Sequence, residues 1–507
     1  MDTVVIDGEN LTLEMLIMVS RGEATVLVSD EARTRIARSR KSLDSILESG
    51  EIAYGVNTGV GEFENVVIPR DLITTLQRNL VRSTAAGVGE PLPKETTKAM
   101  MLLRANALAK GYSGVRLELV DLIVEMINRD VIPFVPRKGS VGSSGDLVPL
   151  AHIALVIMGE GEAWAEGERL LGGQALETVG LNPIELQAKE GLALINGTQF
   201  MCAIGCICLN RALLLLKAAQ IALAMSLESL SGTDHAFDER LFKVRPHPGP
   251  LAVARNLRLL LEESEIVASH RECLKVQDAY TLRCGPQVLG AVMDSLARGK
   301  EVLEIEMNSA TDNPLIFDGE ALSGGNFHGE PLALPLDAMG LAVHEIASFS
   351  ERRIARLLDG KLSGLPRFLT RDEGADSGLM ITQYVAAALT SESKLMANSA
   401  SADSIPTSAN QEDFNSMGSI AAEKLERITG NAELVVAIEL LCAAQALEFH
   451  SMRPGLGSRE ALSFIRSGVE RVIEDRPLSK EIEWIRDMII NGRLVKSVEE
   501  TLPSSLE

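Results

Sequence analysis

The stretch Gly139-Ser140-Val141-Gly142-Ser143-Ser144-Gly145-Asp146-Leu147 lies between a segment broken by prolines and a run with helical spacing. Glycine–serine runs usually form turns or flexible loops. A phosphate-binding Walker loop needs Gly-Lys-Ser/Thr at its end, whereas Asp146 follows Gly145 here. The nucleophile elbow Gly-x-Ser-x-Gly has a different spacing from Gly142-Ser143-Ser144-Gly145. Taken alone, the stretch therefore favours an inert loop over either of these catalytic motifs.

The backbone of the same stretch can also react with itself. Gly145 has no Cβ, so its amide nitrogen can approach the carbonyl carbon of Ser143 with little steric resistance. Closing that bond with loss of water gives a five-membered ring. Loss of a second water from Ser144 leaves an exocyclic C=CH2 group. None of the twenty side chains is a good electrophile, so such a group does work that otherwise needs a cofactor.

Five further segments combine glycine or asparagine with residues that can act as acids, bases or ligands. In chain order they are Tyr54-Gly55-Val56-Asn57-Thr58-Gly59, Gly191-Leu192-Ala193-Leu194-Ile195-Asn196-Gly197-Thr198, Gln277-Asp278-Ala279-Tyr280-Thr281-Leu282-Arg283-Cys284, Ser323-Gly324-Gly325-Asn326-Phe327-His328-Gly329 and Asn410-Gln411-Glu412-Asp413. With the run of residues 139–152, they resemble the motifs of the histidine and aromatic amino-acid ammonia-lyases, and the histidine branch more than the plant phenylalanine enzymes. The six motifs follow the family's order between residues 54 and 417, which makes a chance match implausible.

The resemblance implies a cofactor made from the chain itself. The family forms methylidene-imidazolone (MIO) autocatalytically from an Ala-Ser-Gly triplet and uses no external cofactor. Here the triplet is Ser143-Ser144-Gly145, which departs at its first position. That residue contributes its carbonyl carbon and keeps its side chain, so we expect the ring to close.

The resemblance also implies catalytic roles for Tyr54, Asn196 and Tyr280. Tyr54 would be the base that takes the β-proton, which requires a phenol pKa below the ordinary value of about 10. Asn196 would donate to the ring carbonyl oxygen and so increase the electrophilicity of the methylidene carbon. The alternatives are a buried tyrosine with one satisfied hydroxyl and an asparagine that serves only the turn before Gly197.

The resemblance implies a second group of residues that bind the substrate. Arg283 would bind the substrate carboxylate through its bidentate fork, with an interface salt bridge as the alternative. Tyr280 and Gln277 lie three and six residues earlier, so on a helix all three would share one face. Phe327 would pack against the ring or the substrate, although an aromatic residue is more often simply core. Glu412 would contact the substrate amine or an imidazole.

Three positions bear on the choice of substrate. Glu412 favours the histidine branch, because the phenylalanine enzymes have glutamine there. Thr84 and Phe414 depart from that branch, whose members have histidine at both positions. We place Thr84 in the substrate pocket, where it offers one hydroxyl and one methyl group.

These residues predict an ammonia-lyase that acts on a small-molecule amino acid. L-Histidine, converted to trans-urocanate and ammonia, is the expected substrate; a phenylalanine or tyrosine ammonia-lyase, or a 2,3-aminomutase, is the alternative. A non-catalytic helical scaffold is the rival from another class. Enzymes of the argininosuccinate and fumarase type also use long helices, but their Gly-Ser-Ser-x-Met-Pro loop is absent from this sequence.

Composition narrows the class of protein further. The net charge of -21 opposes contact with phosphate backbones, so we expect no nucleic-acid partner. The six cysteines, one of them Cys273, have no zinc-type spacing, and His152 and His328 belong to no recognisable metal motif. Polar residues interrupt the most apolar region, at 202–230, so we expect a buried helix and no membrane span. Cysteine usage and the acidic N-terminus favour a cytoplasmic protein.

Few aromatic residues and abundant alanine and leucine predict a mainly α fold. We expect a helix at 111–128, a small hairpin within 159–190, and long helices at 204–230, 252–264, 286–307, 331–358, 378–399, 417–449 and 458–474. Such helices bury apolar faces best in a bundle. The resemblance implies the histidase-like fold of the L-aspartase/fumarase-like superfamily, with a smaller MIO-bearing N-terminal domain at 1–200 and the long-helix bundle at 201–507. It also implies a homotetramer whose active sites are each drawn from three subunits.

Overall fold

The computed structural model describes residues 2–270 and 276–507, so Cys273 lies outside the described residues. The chain is 59% helical with few strands, which confirms the predicted mainly α fold. Up to residue 229 the helices are α1 (Leu13–Ser20), α2 (Asp30–Ser49), α3 (Ile73–Thr84), α4 (Lys94–Ala109), α5 (Leu117–Asn128), α6 (Leu147–Ile157), α7 (Gly172–Thr178), α8 (Glu190–Ile195) and α9 (Gln199–Ser229). The later helices are α10 (Glu239–Lys243), α11 (Pro248–Leu260), α12 (Glu265–Ser269), α13 (Tyr280–Arg283), α14 (Gly285–Met307), α15 (Glu330–Leu358), α16 (Gly360–Ser363), α17 (Met380–Met396), α18 (Gly418–Leu447), α19 (Leu456–Arg466), α20 (Ser479–Ile490) and α21 (Arg493–Glu499).

The strands are short and form small separate sheets. They are β1 (Asp2–Ile6), β2 (Ala24–Val28), β3 (Val88–Pro91), β4 (Ile132–Pro133), β5 (Pro136–Lys138), β6 (Glu162–Ala165), β7 (Glu168–Leu171), β8 (Leu315–Phe317) and β9 (Glu320–Leu322). β1 and β2 pair in parallel, whereas β3 with β5, β4 with β6, β6 with β7, and β8 with β9 pair antiparallel. The β6–β7 pair is the hairpin predicted within 159–190.

Two helix boundaries differ from the sequence prediction by more than five residues. The helix predicted at 111–128 begins only at Leu117, because Gly111 and Gly114 adopt φ of 83° and 68°. Those angles are left-handed, and a right-handed helix cannot pass through them. The helix predicted at 458–474 ends at Arg466, where the chain leaves the helix through Ser467 and Gly468.

The chain groups into two compact units. The first contains Met1–Ile207, Lys300–Asp337 and Ser399–Glu423; the second contains Cys208–Gly299, Ala338–Asn398 and Lys424–Glu507. The predicted boundary between residues 200 and 201 stays a prediction.

The core of the first unit is built around α4. Residues 96–109 of this helix are all buried, since its sequence has almost no polar face. Helices α1, α2 and α5 pack against it. Burial includes Lys98 and Arg104, which are only 7% and 1% exposed. A buried guanidinium needs polar partners, and those of Arg104 belong to the loops described below.

Among the described residues, three helices, α9, α15 and α18, are long and apolar enough to cross a membrane by length and composition. The most apolar windows of α9 and α18 are 78% and 83% buried within the protein, and that of α15 is 50% buried. Core packing accounts for the hydropathy of α9 and α18, as predicted for the region from residue 202.

Candidate active site

The glycine-rich loop, residues 139–147, and the asparagine loop, residues 191–198, are joined through their backbones. Gly145 and Gly197 form a parallel β-bridge, and the Asp146 amide donates to the Gly197 carbonyl oxygen at 2.6 Å. Gly145 adopts φ of 75°, and a Cβ built on it would lie 2.3 Å from the Gly197 oxygen. Both the left-handed angle and the close approach therefore require glycine at position 145.

Asn196 lies beside the serine pair. It follows the last residue of α8, is 3% exposed, and its Nδ2 donates to the carbonyl oxygen of Ser144 at 2.7 Å. Within the described chain its Oδ1 has no hydrogen-bond partner. A buried amide thus directs one donor at the backbone carbonyl between Ser144 and Gly145.

Asp146 fixes the C-terminal end of the glycine-rich loop. Its fully buried carboxylate accepts from the amides of Phe200 and Met201 at 3.1 and 3.0 Å and from Ser140 Oγ at 2.9 Å. Burial raises the pKa of Asp146 to about 7 although these hydrogen bonds lower it. The carboxylate thereby ties the loop to the first turn of α9.

Arg104 fixes the C-terminal end of α8 through hydrogen bonds to its carbonyl groups. Its guanidinium donates to the carbonyl oxygens of Ala193 at 2.8 Å and Asn196 at 2.9 Å, and also to the side-chain oxygen of Gln199. Burial lowers the pKa of Arg104 to about 10, while the carboxylates of Asp312 and Asp146 act in the opposite direction. Carbonyl groups at the end of α8 are satisfied by this one side chain.

The predicted base, Tyr54, lies in a turn anchored by buried neighbours. Ala53 and Val56 belong to a hydrophobic cluster, and Tyr54 itself is half-buried. Its phenol oxygen accepts a hydrogen bond from the Gly61 amide at 3.1 Å. Burial raises the pKa of Tyr54 above its ordinary value, as do the charges of Glu412 and Glu64, although the Gly61 amide lowers it. The expectation of a lowered pKa is therefore wrong for this structure, because the phenol is buried near two carboxylates.

Glu412 lies directly against the serine pair. Its Oε1 accepts from Ser144 Oγ at 2.8 Å, and its Oε2 accepts from Ser143 Oγ at 2.5 Å and Thr407 Oγ1 at 2.6 Å. Burial raises the pKa of Glu412, but the three hydroxyls together outweigh it, so the pKa is below its ordinary value. The site therefore holds an ionised carboxylate against the triplet.

The segment after Glu412 joins the glycine-rich loop. Ser416 Oγ donates to the Gly142 carbonyl oxygen at 3.0 Å, and the Met417 amide donates to the Val141 oxygen at 3.0 Å. Ser419 Oγ adds a bond of 2.8 Å to the carbonyl oxygen of Ser140. Residues distant in sequence thereby hold the triplet in place.

His152 and His328 serve as hydrogen-bonding groups. His152 Nε2 accepts from the Gly87 amide at 3.2 Å, and burial lowers its pKa. His328 Nδ1 accepts from the Glu330 amide at 3.3 Å, which leaves Nε2 as the donor to the Phe414 carbonyl oxygen at 3.1 Å. The rings of His328 and Phe414 stack with centroids 6.2 Å apart.

Two other predicted pocket residues also belong to the first unit. Phe327 is half-buried in the turn before α15. Thr84 is the last residue of α3, a helix that packs on α6. No hydrogen bond joins the Thr84 side chain to Ser143, Ser144 or Glu412, all of which lie in the described chain.

The remaining predicted residues belong to the second unit. Tyr280 and Arg283 form one helical turn, α13, and the guanidinium carbon of Arg283 lies 4.8 Å from the centre of the Tyr280 ring. Tyr280 is 70% exposed. Gln277 is exposed and precedes the helix, so the prediction that it shares a helical face with Tyr280 and Arg283 is wrong. The backbone at residues 276–279 is not helical, so a spacing of three residues does not place Gln277 on the same face as Tyr280.

Sequence reasoning missed three contributors to the site. Thr407 supplies a hydroxyl to Glu412, and Gly61 supplies an amide to Tyr54. Neither position carries a recognisable signal, because each contact joins residues that only folding brings together. Arg104 did carry one: a single arginine inside the apolar run of α4 indicates a buried charge that requires partners.

The chain is similar to known proteins over nearly its whole length. The family model described as aromatic amino acid lyase matches residues 11–467. The chain is 50% identical over 503 residues to histidine ammonia-lyase of Caldanaerobacter subterraneus subsp. tengcongensis, covering 99% of both chains. It is 50% identical over 502 residues to histidine ammonia-lyase of Gloeobacter violaceus, covering 98% of both chains.

Solved structures give the same result. The crystal structure of histidine ammonia-lyase from Trypanosoma cruzi is similar with a TM-score of 0.92 and 41% identity, covering 99% of this chain and 96% of that one. Tyrosine aminomutase from Streptomyces globisporus is similar with a TM-score of 0.94 and 34% identity over the whole of both chains. The chain belongs to the aromatic amino acid lyase family.

Proposed function

We propose that this protein is an MIO-dependent histidine ammonia-lyase that converts L-histidine into trans-urocanate and ammonia. The observation that carries the proposal is the placement of Asn196 and Glu412 on the Ser143-Ser144-Gly145 triplet. Histidine ammonia-lyases that are about half identical over nearly the full chain support the same activity.

The residues around the triplet fit an MIO group. A bond between the Gly145 nitrogen and the Ser143 carbonyl carbon closes the ring, and the carbonyl oxygen leaves as water with the amide protons of Ser144 and Gly145. Ser144 then loses its hydroxyl and its Cα proton as a second water, and no oxidant is needed. The Asn196 amide is already directed at the Ser144 carbonyl oxygen, which becomes the ring carbonyl. The tight approach to Gly197 keeps position 145 free of a side chain.

The MIO group supplies an electrophilic carbon that withdraws electrons from the substrate during elimination. The residues of the chain supply the rest. Asn196 stabilises negative charge on the ring carbonyl oxygen, a type of contact that is usually a large contribution to catalysis. Tyr54 takes the β-proton of the substrate; the Gly61 amide favours its deprotonated form, while burial and the charges of Glu412 and Glu64 raise its pKa overall. Glu412 accepts a hydrogen bond from a nitrogen of the substrate.

We further propose a homotetramer in which Tyr280, Arg283 and Gln277 complete active sites shared between subunits. The resemblance of the Gln277–Cys284 segment to the family motif supports this assignment. Mixing subunits tests it: inactive Tyr54→Phe and Arg283→Ala proteins, when co-expressed, should regain part of the activity. Mixtures that stay inactive would indicate that each site uses residues of one subunit only.

The function is tested by incubating the purified protein separately with L-histidine, L-phenylalanine and L-tyrosine. We expect ultraviolet absorbance of the conjugated acid from histidine alone, and an intact mass two waters below that of the sequence. The Thr84 and Phe414 departures, with the likeness to a tyrosine aminomutase, support one second candidate, a 2,3-aminomutase. That activity would yield a β-amino acid from tyrosine or phenylalanine, which chromatography detects.

A further inference from the structure

Three hydroxyl groups hold the carboxylate of Glu412, and they divide between its two oxygens. Ser143 and Thr407 both bind Oε2, at 2.5 and 2.6 Å, whereas Ser144 alone binds Oε1, at 2.8 Å. Ser143 Oγ and Thr407 Oγ1 are themselves 3.5 Å apart, so they approach Oε2 as a pair. Ser143 is only 7% exposed.

Ring closure affects these three hydroxyls differently. Ser144 loses its hydroxyl as water, so Oε1 loses its donor. Ser143 contributes only its carbonyl carbon, so its hydroxyl survives. Thr407 takes no part in the chemistry. After maturation Oε2 therefore keeps both donors, while Oε1 becomes free to accept another.

We propose that Ser143 is a positioning residue whose retained hydroxyl fixes Oε2 of Glu412, so that loss of the Ser144 hydroxyl leaves Oε1 free to accept a hydrogen bond from the amine of the substrate. The proposal rests on the proposed function and assigns Glu412 to the amine rather than to the imidazole. The vacated hydroxyl was bonded to Cβ of Ser144, which becomes the reactive carbon. Oε1 therefore faces the position where the substrate amine has to arrive.

The electrostatics of the site agree with this assignment. Ser143 is the largest of the three contributions that lower the pKa of Glu412, followed by Thr407 and Ser144. Tyr54 is the titratable group that faces Glu412, and Glu64 is the further charge that acts on Tyr54. With Ser144 consumed, Ser143 and Thr407 keep the carboxylate ionised and able to accept from an ammonium or amine group.

The fold of the loop does not depend on these side-chain bonds. The backbones of Thr407 and Glu412 already pair, with N–O distances of 2.9 and 3.3 Å. Ser416 and Met417 tie the following segment to the glycine-rich loop. Variants at positions 143 and 407 should consequently fold, and Ser143→Ala restores the Ala-Ser-Gly triplet of the family.

The test compares Ser143→Ala, Ser143→Thr and Thr407→Val with the unchanged protein and with Ser45→Ala, an exposed serine on α2. Intact mass reports ring formation. Infrared titration of the carboxyl band that is missing in Glu412→Gln reports the protonation of Glu412 without any turnover. Calorimetry with imidazole-4-propionate, which lacks the amine, measures binding of the imidazole and the carboxylate. KM for L-histidine depends in addition on the contact with the amine.

We expect the Ser143→Ala and Thr407→Val proteins to form the ring, with an intact mass two waters below that of the sequence. In both, Glu412 should take up its proton at a higher pH than in the unchanged protein. KM for histidine should rise about tenfold with binding of imidazole-4-propionate unchanged, because a hydrogen bond to a charged group is lost near the amine only. Ser143→Thr should restore the original values and Ser45→Ala should keep them.

An unshifted infrared titration in Ser143→Ala would overturn the proposal, as would equal weakening of both ligands. A Ser143→Ala protein whose intact mass shows no loss of water would mean that the Ser143 hydroxyl is needed for ring closure. That result would also overturn the proposal. Absence of histidine turnover in the unchanged protein would instead refute the proposed function, while the infrared titration would still decide whether Ser143 holds Glu412.

Discussion

The side-chain amide of Asn196 and the carbonyl oxygen of Ser144 are 2.7 Å apart, and Arg104 holds the backbone of Asn196 from the other side. The donor is therefore fixed before any substrate arrives. A preorganised donor stabilises developing charge without reorganising during the reaction. This relationship makes Asn196 the residue whose removal should affect turnover most directly.

Asn196→Ala should lower kcat by about 100- to 1,000-fold, the loss typical of one oxyanion-hole donor. KM for histidine should change little, because the contact is to the ring and not to the substrate. Steady-state kinetics with intact-mass analysis separate slow turnover from failed maturation. Asn398→Ala, at an exposed position, is the control and should match the unchanged protein. A kcat within twofold of the unchanged protein would exclude the predicted role.

Gly145→Ala should prevent loss of the two waters, since the added methyl group collides with the backbone of Gly197. Gly167→Ala is a matched control: its φ of 87° is equally left-handed, but nothing lies within 4 Å of its built Cβ. That control carries only the backbone strain, about 1–2 kcal/mol, and should mature normally. Intact mass and thermal unfolding of both variants distinguish the collision from the strain. Normal maturation of Gly145→Ala would contradict the geometry.

Much of this site is predictable because its determinants are local. Gly145 lies two residues before α6 and Asn196 directly follows α8, and in each case glycine or asparagine near a helix end indicates a turn. The chemistry of the triplet depends on three consecutive residues. The mainly α fold likewise follows from the spacing of apolar residues along long segments.

The contacts that complete the site could not be predicted, because they join residues far apart in sequence. Thr407 and Ser143 meet at one oxygen of Glu412 across more than 260 positions. Threonine has no motif that indicates such a contact. The prediction that Gln277 shares a face with Tyr280 is wrong for a different reason. A three-residue spacing places residues on one face only where the backbone is helical. Because α13 begins at Tyr280, Gln277 lies outside the helix.

Turnover should rise with pH as Tyr54 loses its proton. Burial raises the pKa of this phenol, and only the deprotonated form can act as a base, so kcat/KM should increase through the alkaline range. Tyr54→Phe should lower kcat by about 100-fold or more and abolish that increase. Tyr112→Phe, a tyrosine that packs on Phe317, should leave the pH profile unchanged. A Tyr54→Phe protein that retains most of its turnover would refute the assignment of Tyr54 as the base.

Arg283→Lys should raise KM for histidine about tenfold or more with a smaller effect on kcat. Lysine keeps the charge but cannot form two parallel hydrogen bonds to a carboxylate. In the described chain Arg283 Nε is buried without a hydrogen-bond partner, and its guanidinium lies over the Tyr280 ring, so this nitrogen is available to a carboxylate. Arg240→Lys, at an 87% exposed side chain, is the control. An unchanged KM would assign Arg283 to an interface.

Lys189→Met should destabilise the first unit, because it leaves the carboxylate of Asp312 buried without its cation. The Lys189 Nζ and Asp312 Oδ2 atoms are 2.6 Å apart, and both side chains are fully buried. Lys189 immediately precedes α8, the helix that carries Asn196. Removing one partner of such a pair typically costs about 3–5 kcal/mol of unfolding free energy.

The matched control for this pair is Arg38→Met. Arg38 pairs with Asp318 at the surface, where both side chains are more than 70% exposed. Exposed pairs contribute about 0–1 kcal/mol, so this variant should unfold at nearly the same denaturant concentration as the unchanged protein. Chemical denaturation of both proteins measures the difference. Equal loss of stability in the two variants would mean that Asp312 finds another partner or takes up a proton when Lys189 is removed.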